Sequence, residues 1–196
     1  MQMSAEELTV LLMLKRYGRM GRYSLSAVSG MGGEGVVRRV LNELRDKGAI
    51  RVMRGGGGAE LTSKGEELLN DLLRNLGIDE IREVTKFPQV FRCECRRCYV
   101  SVISRIINED SVVRLRDIAI KNGSDAALFL KFVCPQNRFL ILKLNNYLDE
   151  LSQEAAEELS KLDSISCNKY TIVLCGSENY QVIRSLISTV MSIQGF

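Results

Sequence analysis

The chain has 196 residues, of which 45% are hydrophobic, so it can bury a core in two small domains or one medium one. No apolar stretch nears the length of a membrane span and no signal-peptide pattern opens the chain, so a cytoplasmic protein without membrane contact is expected. There is no His, which removes the commonest general base and metal ligand, and six Cys without a secretion signal point to a reducing compartment.

Charge is unevenly spread. Ten basic residues lie between Lys15 and Arg54, opposed only by Glu34, Glu43 and Asp46, a net +7 over that stretch. From Ile78 onward, fifteen basic residues meet fifteen acidic ones. A basic first third ahead of a neutral remainder is an electrostatic footprint for a polyanion.

In chain order, Ser4 and Glu7 have the spacing of a capping box ahead of a helix over 5–17, with Leu8, Leu11 and Leu12 on one face. Gly18 and Gly21 end it. Ser24 caps a second, short helix that Gly30 ends, and Gly32 and Gly33 permit a sharp turn. A third helix spans 34–47, with Val36, Val37, Val40, Leu41 and Leu44 as its buried stripe. Arg38, Arg39, Asn42 and Arg45 are left on its open side. Gly48 stops it.

The next stretch, GAIRVMRGGGGAELTSKGEELL, holds four consecutive glycines before a helix. A phosphate-binding loop needs Gly-Lys-Ser/Thr at the helix start, whereas here the run ends in Gly58-Ala59-Glu60, and Glu60 would repel a phosphate. A hairpin fits instead: Ile50 to Met53 pairs with Ala59 to Leu61 across the glycines, and Thr62 then N-caps a helix. Helix, short helix, turn, helix, hairpin, helix is the order of a winged helix-turn-helix. In such a module the third helix lies in the major groove, where Arg38, Arg39 and Asn42 can reach base edges or phosphate, Arg51 and Arg54 of the wing contact the backbone, and Arg45 and Arg22 are further DNA-binding candidates.

VVRRVLNELRDKGAIRV followed by LTSKGEELL resembles the recognition helix, wing and closing helix of many prokaryotic winged-helix regulators, over about Glu6 to Leu76. RLRDIAIKNGSDAALFLKF resembles a domain found behind winged helices in archaeal proteins. The fold of that domain is similar to the insert domain of bacterial aspartyl-tRNA synthetases. Together the resemblances imply an archaeal transcriptional regulator with a C-terminal α+β domain of unsettled function that pairs subunits or senses a small-molecule effector. They imply no reaction and no cofactor.

An α+β fold is therefore expected: a winged helix over 1–77, a linker over 78–87, and over 88–196 a small two-layer α/β sandwich with a mostly antiparallel sheet. Its strands are expected at 99–107, 126–133, 139–144 and 170–175, and its helices at 112–122, 147–162 and 179–193. Arg116 and Asp117 mark either a ligand site or a surface pair, with Asp117 bound to Lys121 one turn on. Asp149, Glu150, Glu154, Glu157 and Glu158 read as a solvated helix face.

Cys93, Cys95 and Cys98 form C-x-C-x-x-C. The favoured reading is a strand whose apolar face carries Phe91, Cys93 and Cys95. A metal site with a fourth Cys and a disulfide or redox switch are the alternatives. Nothing has the pattern of a catalytic machinery, so no enzyme is expected. The expected function is sequence-specific binding of double-stranded DNA. A non-DNA protein adaptor and an RNA-linked accessory factor or enzyme are the alternatives.

The closing helix repeats Val182, Ile183, Leu186, Ile187, Val190 and Met191 at three- and four-residue spacing, a stripe that covers either the sheet or a second subunit. A homodimer follows from the short half-site that one winged helix can cover. Light scattering at micromolar protein should report twice 22.0 kDa. A 22.0 kDa species without concentration dependence would exclude the dimer.

Overall fold

The computed structural model describes residues 4–193, with Arg54 described by its backbone alone. Helix α1 spans Ala5–Tyr17, and the capping box forms: the Ser4 hydroxyl accepts from Glu7 N–H, and Glu7 Oε2 accepts from Ser4 N–H. The other carboxylate oxygen of Glu7, a nearly fully buried residue, accepts from Lys47 Nζ, tying the start of α1 to the end of α3. Helix α2 is Arg22–Ser29 and begins earlier than Ser24, with Gly21 as N-cap. Helix α3, Glu34–Asp46, buries Val37, Val40 and Leu44, while Val36 and Leu41 pack at the edge of that core.

Strands β1, Ile50–Val52, and β2, Ala59–Leu61, pair antiparallel with Ile50 opposite Leu61. Met20 adds an isolated bridge to Ala59, donating and accepting at 3.0 and 2.8 Å. Gly58 has φ +81°, and a Cβ there would lie 2.7 Å from Met20 O, so this corner of the wing requires glycine.

Helix α4, Ser63–Leu76, begins at Thr62, whose hydroxyl accepts from Gly65 N–H and lies within hydrogen-bonding reach of Gly48 O and Ala49 O. A Cβ at Gly65 would come within 2.0 Å of Ala49 O. The Leu-Thr-x-Lys-Gly stretch thus has a mechanical basis: Thr62 pins α4 to the α3–β1 turn, and Gly65 lets the two backbones meet.

The expected linker does not form. Residues 78–84 are strand β3, Ile78–Val84, one residue beyond α4, and Phe87–Phe91 is a short helix, α5. The polar side chains that hid β3 in the sequence belong to an edge strand, half-buried at Glu80, Ile81, Arg82 and Glu83. Strand β4 is Arg97–Ile103, α6 Val112–Lys121, β5 Ala126–Val133, β6 Arg138–Ile141, β7 Tyr170–Gly176 and α9 Asn179–Ile193.

The expected helix over 147–162 is broken into α7, Leu148–Leu151, and α8, Gln153–Ser160. Ser152 is extended there, and its hydroxyl accepts from Ala155 N–H, so the side chain starts a new helix in place of continuing the old one.

The five strands form one antiparallel sheet in the order β3-β4-β7-β5-β6. Central strands β4 and β7 are buried on both faces, which is why their sequences are mainly apolar, with Ser101 and Thr171 as buried polar exceptions. On one face Tyr99, Ile103, Phe129, Ile172 and Leu174 join α6, α9 and the winged helix in a single core. On the other, Val100, Val102, Leu130 and Val173 meet α5, α7 and α8, so helices cover both faces.

The acidic run is not a free face. Asp149 and Glu150 bind Arg138, Glu154 binds Lys86, and Glu158 accepts from the backbone of Thr85 and Lys86. The Arg138 hydrogen bonds hold the Asp149 carboxyl below its ordinary range.

Exchanging Gly65 for Ala should destabilise the protein by about 1–3 kcal/mol, the usual cost of forcing a methyl into a filled site. Thermal unfolding checks it: an unchanged midpoint would mean that α4 and the α3–β1 turn do not touch as described.

Candidate nucleic-acid interface

The open side of α3 faces the wing. Between them, closed at one end by the start of α2, lies a concavity of about 380 Å³. Arg22, Arg38, Asn42 and Arg45 line it together with Tyr23, Leu41, Val52 and Met53. The helical period puts Arg38, Asn42 and Arg45 on one exposed stripe, and the Met20–Ala59 bridge holds the wing beside them.

Most cations on this surface already have partners. Arg22 reaches Glu34 at 3.4 Å, Arg39 reaches Glu43 at 2.9 Å, and Arg45 reaches Asp46 at 3.1 Å. Arg51 and Arg19 both approach Glu60, and the Arg51 hydrogen bond keeps the Glu60 carboxyl below its ordinary value. Arg38 is exposed and has no acidic partner among the described residues. Arg54 lies by its backbone at the start of a 3-10 turn, Arg54–Gly56, at the wing tip.

Arg22, Arg38, Asn42 and Arg45 therefore converge. Arg39 faces the Glu43 side of α3, outside the concavity. Sequence reasoning missed Tyr23, which is 66% exposed with the Arg22 guanidinium 5.0 Å from its ring centre. An aromatic next to Arg at a glycine-preceded helix start was the available signal. Helices α2 and α3 both begin on glycines with no side-chain cap, leaving their first N–H groups open to an anion.

The interface is referenced to the sheet through α9. Asn179 is fully buried; its amide donates to Val28 O, at the end of α2, at 2.6 Å, and its carbonyl accepts from the Tyr99 hydroxyl at 2.7 Å. Burial first, and then the nearby Glu83 charge, push the Tyr99 phenol well above its ordinary value, so it stays a donor. Glu83 also receives Arg16 from α1 and Arg97 from β4.

The other expected sites resolve differently. Arg116 and Asp117 are both exposed and pair with each other at 3.3 Å, so Asp117 does not pair with Lys121 as the surface reading had it. They border a wide, open concavity with Phe91, Ile120 and Ala127. Residues 92–96 do not form the strand expected there; they connect α5 to β4. Cys93 is bonded to Cys95, and Cys98 to Cys175 across the β4–β7 pair, while the third pair joins Cys134 to Cys167. The three sulfurs of C-x-C-x-x-C are thus divided between two bonds. No group of three or more His, Cys, Asp or Glu among the described residues is placed to hold a metal ion. With all six cysteines paired, the cysteine count no longer argues for a reducing compartment.

No described helix is long and apolar enough to cross a membrane. The stripe of α9 is mainly internal: Val182, Ile183, Leu186 and Val190 are buried within the chain, Ile187 is half-buried, and Met191 is exposed. That leaves little of this helix for a second subunit.

No protein-family model matches the chain, and no curated protein matches it in sequence. Its fold is similar to that of hypothetical protein PH0730 from Pyrococcus horikoshii OT3, at a TM-score of 0.72 and 23% identity, over 98% of this chain and 94% of that one. The α+β architecture, winged-helix-like half and antiparallel sheet alike, is therefore one that an archaeal protein also adopts.

Replacing Asn179 with Ala removes the partner of the Val28 carbonyl and of the buried Tyr99 hydroxyl. The cost should be roughly 2–6 kcal/mol, from two lost bonds at about 1–3 each. Denaturant unfolding measures it, and hydrogen exchange should then show α2 opening more readily. A neutral substitution would mean that α2 is not held through this residue.

Proposed function

We propose that the chain is a sequence-specific, double-stranded-DNA-binding transcriptional regulator of the archaeal winged-helix type. Its α+β half pairs subunits or senses a small-molecule effector. The observation that carries this reading is the concave, basic surface between α3 and the wing, with Arg38 and Asn42 one turn apart on the exposed side of α3. A guanidinium and a carboxamide in that relation supply the groups that read guanine and adenine edges in the major groove.

The acidic partners of the other arginines are a small obstacle. Arg39, Arg45 and Arg51 are 54%, 52% and 69% exposed, and exposed ion pairs contribute only about 0–1 kcal/mol each. A hydrogen bond to a charged phosphate contributes about 1.5–3 kcal/mol, so exchange of partner on docking is favourable. The uncapped starts of α2 and α3 add backbone donors for the same phosphates. The adaptor reading draws on those same ion pairs, which already neutralise much of the surface.

Fluorescence anisotropy with duplex DNA separates the two. Affinity should fall by about 0.9 log unit per phosphate contact for each tenfold rise in salt. Arg38→Ala should weaken the preferred site by about 1–3 kcal/mol and relax base preference. Arg51→Ala should weaken all duplexes alike. Absence of duplex binding at low salt would overturn the regulator reading and leave the adaptor.

A further inference from the structure

The cysteines form three pairs that are held in different ways. Cys98 and Cys175 are direct partners in the β4–β7 register, at 1% and 0% exposure. Cys134 and Cys167 flank the end of the β5–β7 pairing, where Phe132 N–H donates to Lys169 O at 2.8 Å and Asn168 N–H donates to Phe132 O at 2.9 Å. That backbone keeps them opposite each other, although Cys167 is exposed. Cys93 and Cys95 have no such support. One residue separates them, in the irregular connection from α5 to β4, and its backbone is tied by Cys93 N–H to Pro88 O and Arg96 N–H to Gly176 O.

Sequence separation ranks the pairs in the same order. Bonding residues 77 or 33 apart removes much more freedom from the unfolded chain than bonding residues two apart. By reciprocity, folding favours the two long-range bonds more than it favours Cys93–Cys95. The short pair is also reachable. Cys93 is half-buried and Cys95 is 8% exposed, and both border an open concavity of about 480 Å³ with Glu94, Arg96, Asp125 and Ser177. Its lining carries charges of both signs and little apolar surface, which suits a small polar thiol better than an apolar peptide.

We propose that Cys93–Cys95 is a reversible two-electron exchange site for a polar, low-molecular-weight thiol, with the other two disulfides structural. The incoming thiolate attacks Cys93 Sγ, on the more exposed residue of the pair. The Cys93–Cys95 bond breaks, and Cys95 leaves as a thiolate that takes up a proton. The reductant is now joined to Cys93 as a mixed disulfide. A second thiol of the reductant, or of another molecule, attacks the reductant's sulfur and releases Cys93 as a thiolate, which is protonated in turn. The chain has gained two electrons and two protons, and the reductant departs as its disulfide. The exchange stands independently of whether the winged helix binds DNA.

The full chain can be equilibrated in mixtures of reduced and oxidised dithiothreitol, quenched in acid, alkylated and mapped by peptide mass. Cys93 and Cys95 should become alkylated together, at a ratio of reduced to oxidised reagent at least tenfold lower than the other four require. For a two-electron couple that is about 30 mV. Circular dichroism should be unchanged at that ratio, and oxidised dithiothreitol should restore the bond. With limiting L-cystine as probe, the free Cys93 thiolate of Cys95→Ser should take one half-cystine as a stable mixed disulfide and release L-cysteine, whereas Cys93→Ser should label Cys95 at least tenfold more slowly. Reduction of all six cysteines in one step, faster labelling of Cys95, or failure of the pair to re-form would each overturn the proposal.

Discussion

The structure depends on the burial of α1 from two sides. One side meets α2, α3 and α4; the other meets α9 of the sheet half. Leu8, Val10, Leu11, Met13 and Leu14 are all at 2% exposure or less, and Thr9 is fully buried between them. Complete burial of one such apolar side chain contributes about 1.5–3 kcal/mol, several times the yield of an exposed ion pair. Apolar contact therefore joins the two halves, and polar contacts set their register: Arg16 to Glu83, Tyr180 to Glu6 at 3.2 Å, and Asn179 to Val28. The winged helix shares its core with the sheet, and α4 passes into β3 within a residue.

This arrangement places α3 and the wing outward. The helices that could otherwise compete for solvent, α1 and α9, use their apolar sides on each other. What α3 exposes is a row of arginines, most of them lightly restrained by neighbouring acids. Such weak pairs keep long side chains ordered near the surface at small energetic depth. On the proposed reading, a polyanion would take over the guanidinium groups without opening the core. The basic residues that reach buried carboxylates, Lys47 at Glu7 and Arg16 and Arg97 at Glu83, are committed to architecture.

The second face of the sheet follows a different rule. Its small helices α7 and α8 bury only Leu148, Ala155 and Leu159 of their own. Their acidic residues supply the remaining attachment, to Arg138, Lys86 and the backbone after β3. A carboxylate that accepts two backbone N–H groups, as Glu158 does, anchors a helix end where apolar area is short. In the sequence this run is indistinguishable from a solvated face, because the partners of Glu158 lie 72 and 73 residues away and Arg138 meets Asp149, 11 residues on, only across the end of β6.

Most of what depended on local chemistry was legible in the sequence, the Ser152 cap that splits 147–162 and the Gly21 start of α2 excepted. The capping box at Ser4 and Glu7, the Thr62 cap, the glycine wing, and the bounds of β5 and α9 all follow from neighbours within a few residues, and they stand as read. Helix period put Arg38, Asn42 and Arg45 on the open side of α3, where they are exposed; that Arg22 lines the same concavity and Arg39 does not was decided by how α2, α3 and the wing pack. Strand β3 was not legible, because an edge strand carries polar side chains like those of a linker. Nor were the cysteine partners, for Cys98 meets Cys175 only once β4 and β7 are neighbours. Local sequence determined the elements and the exposed face of α3. Only tertiary structure decided that α9 would be used inside the chain and that Asn179 would hold α2, because pairing across long separations depends on which buried surfaces meet, and no local pattern encodes that.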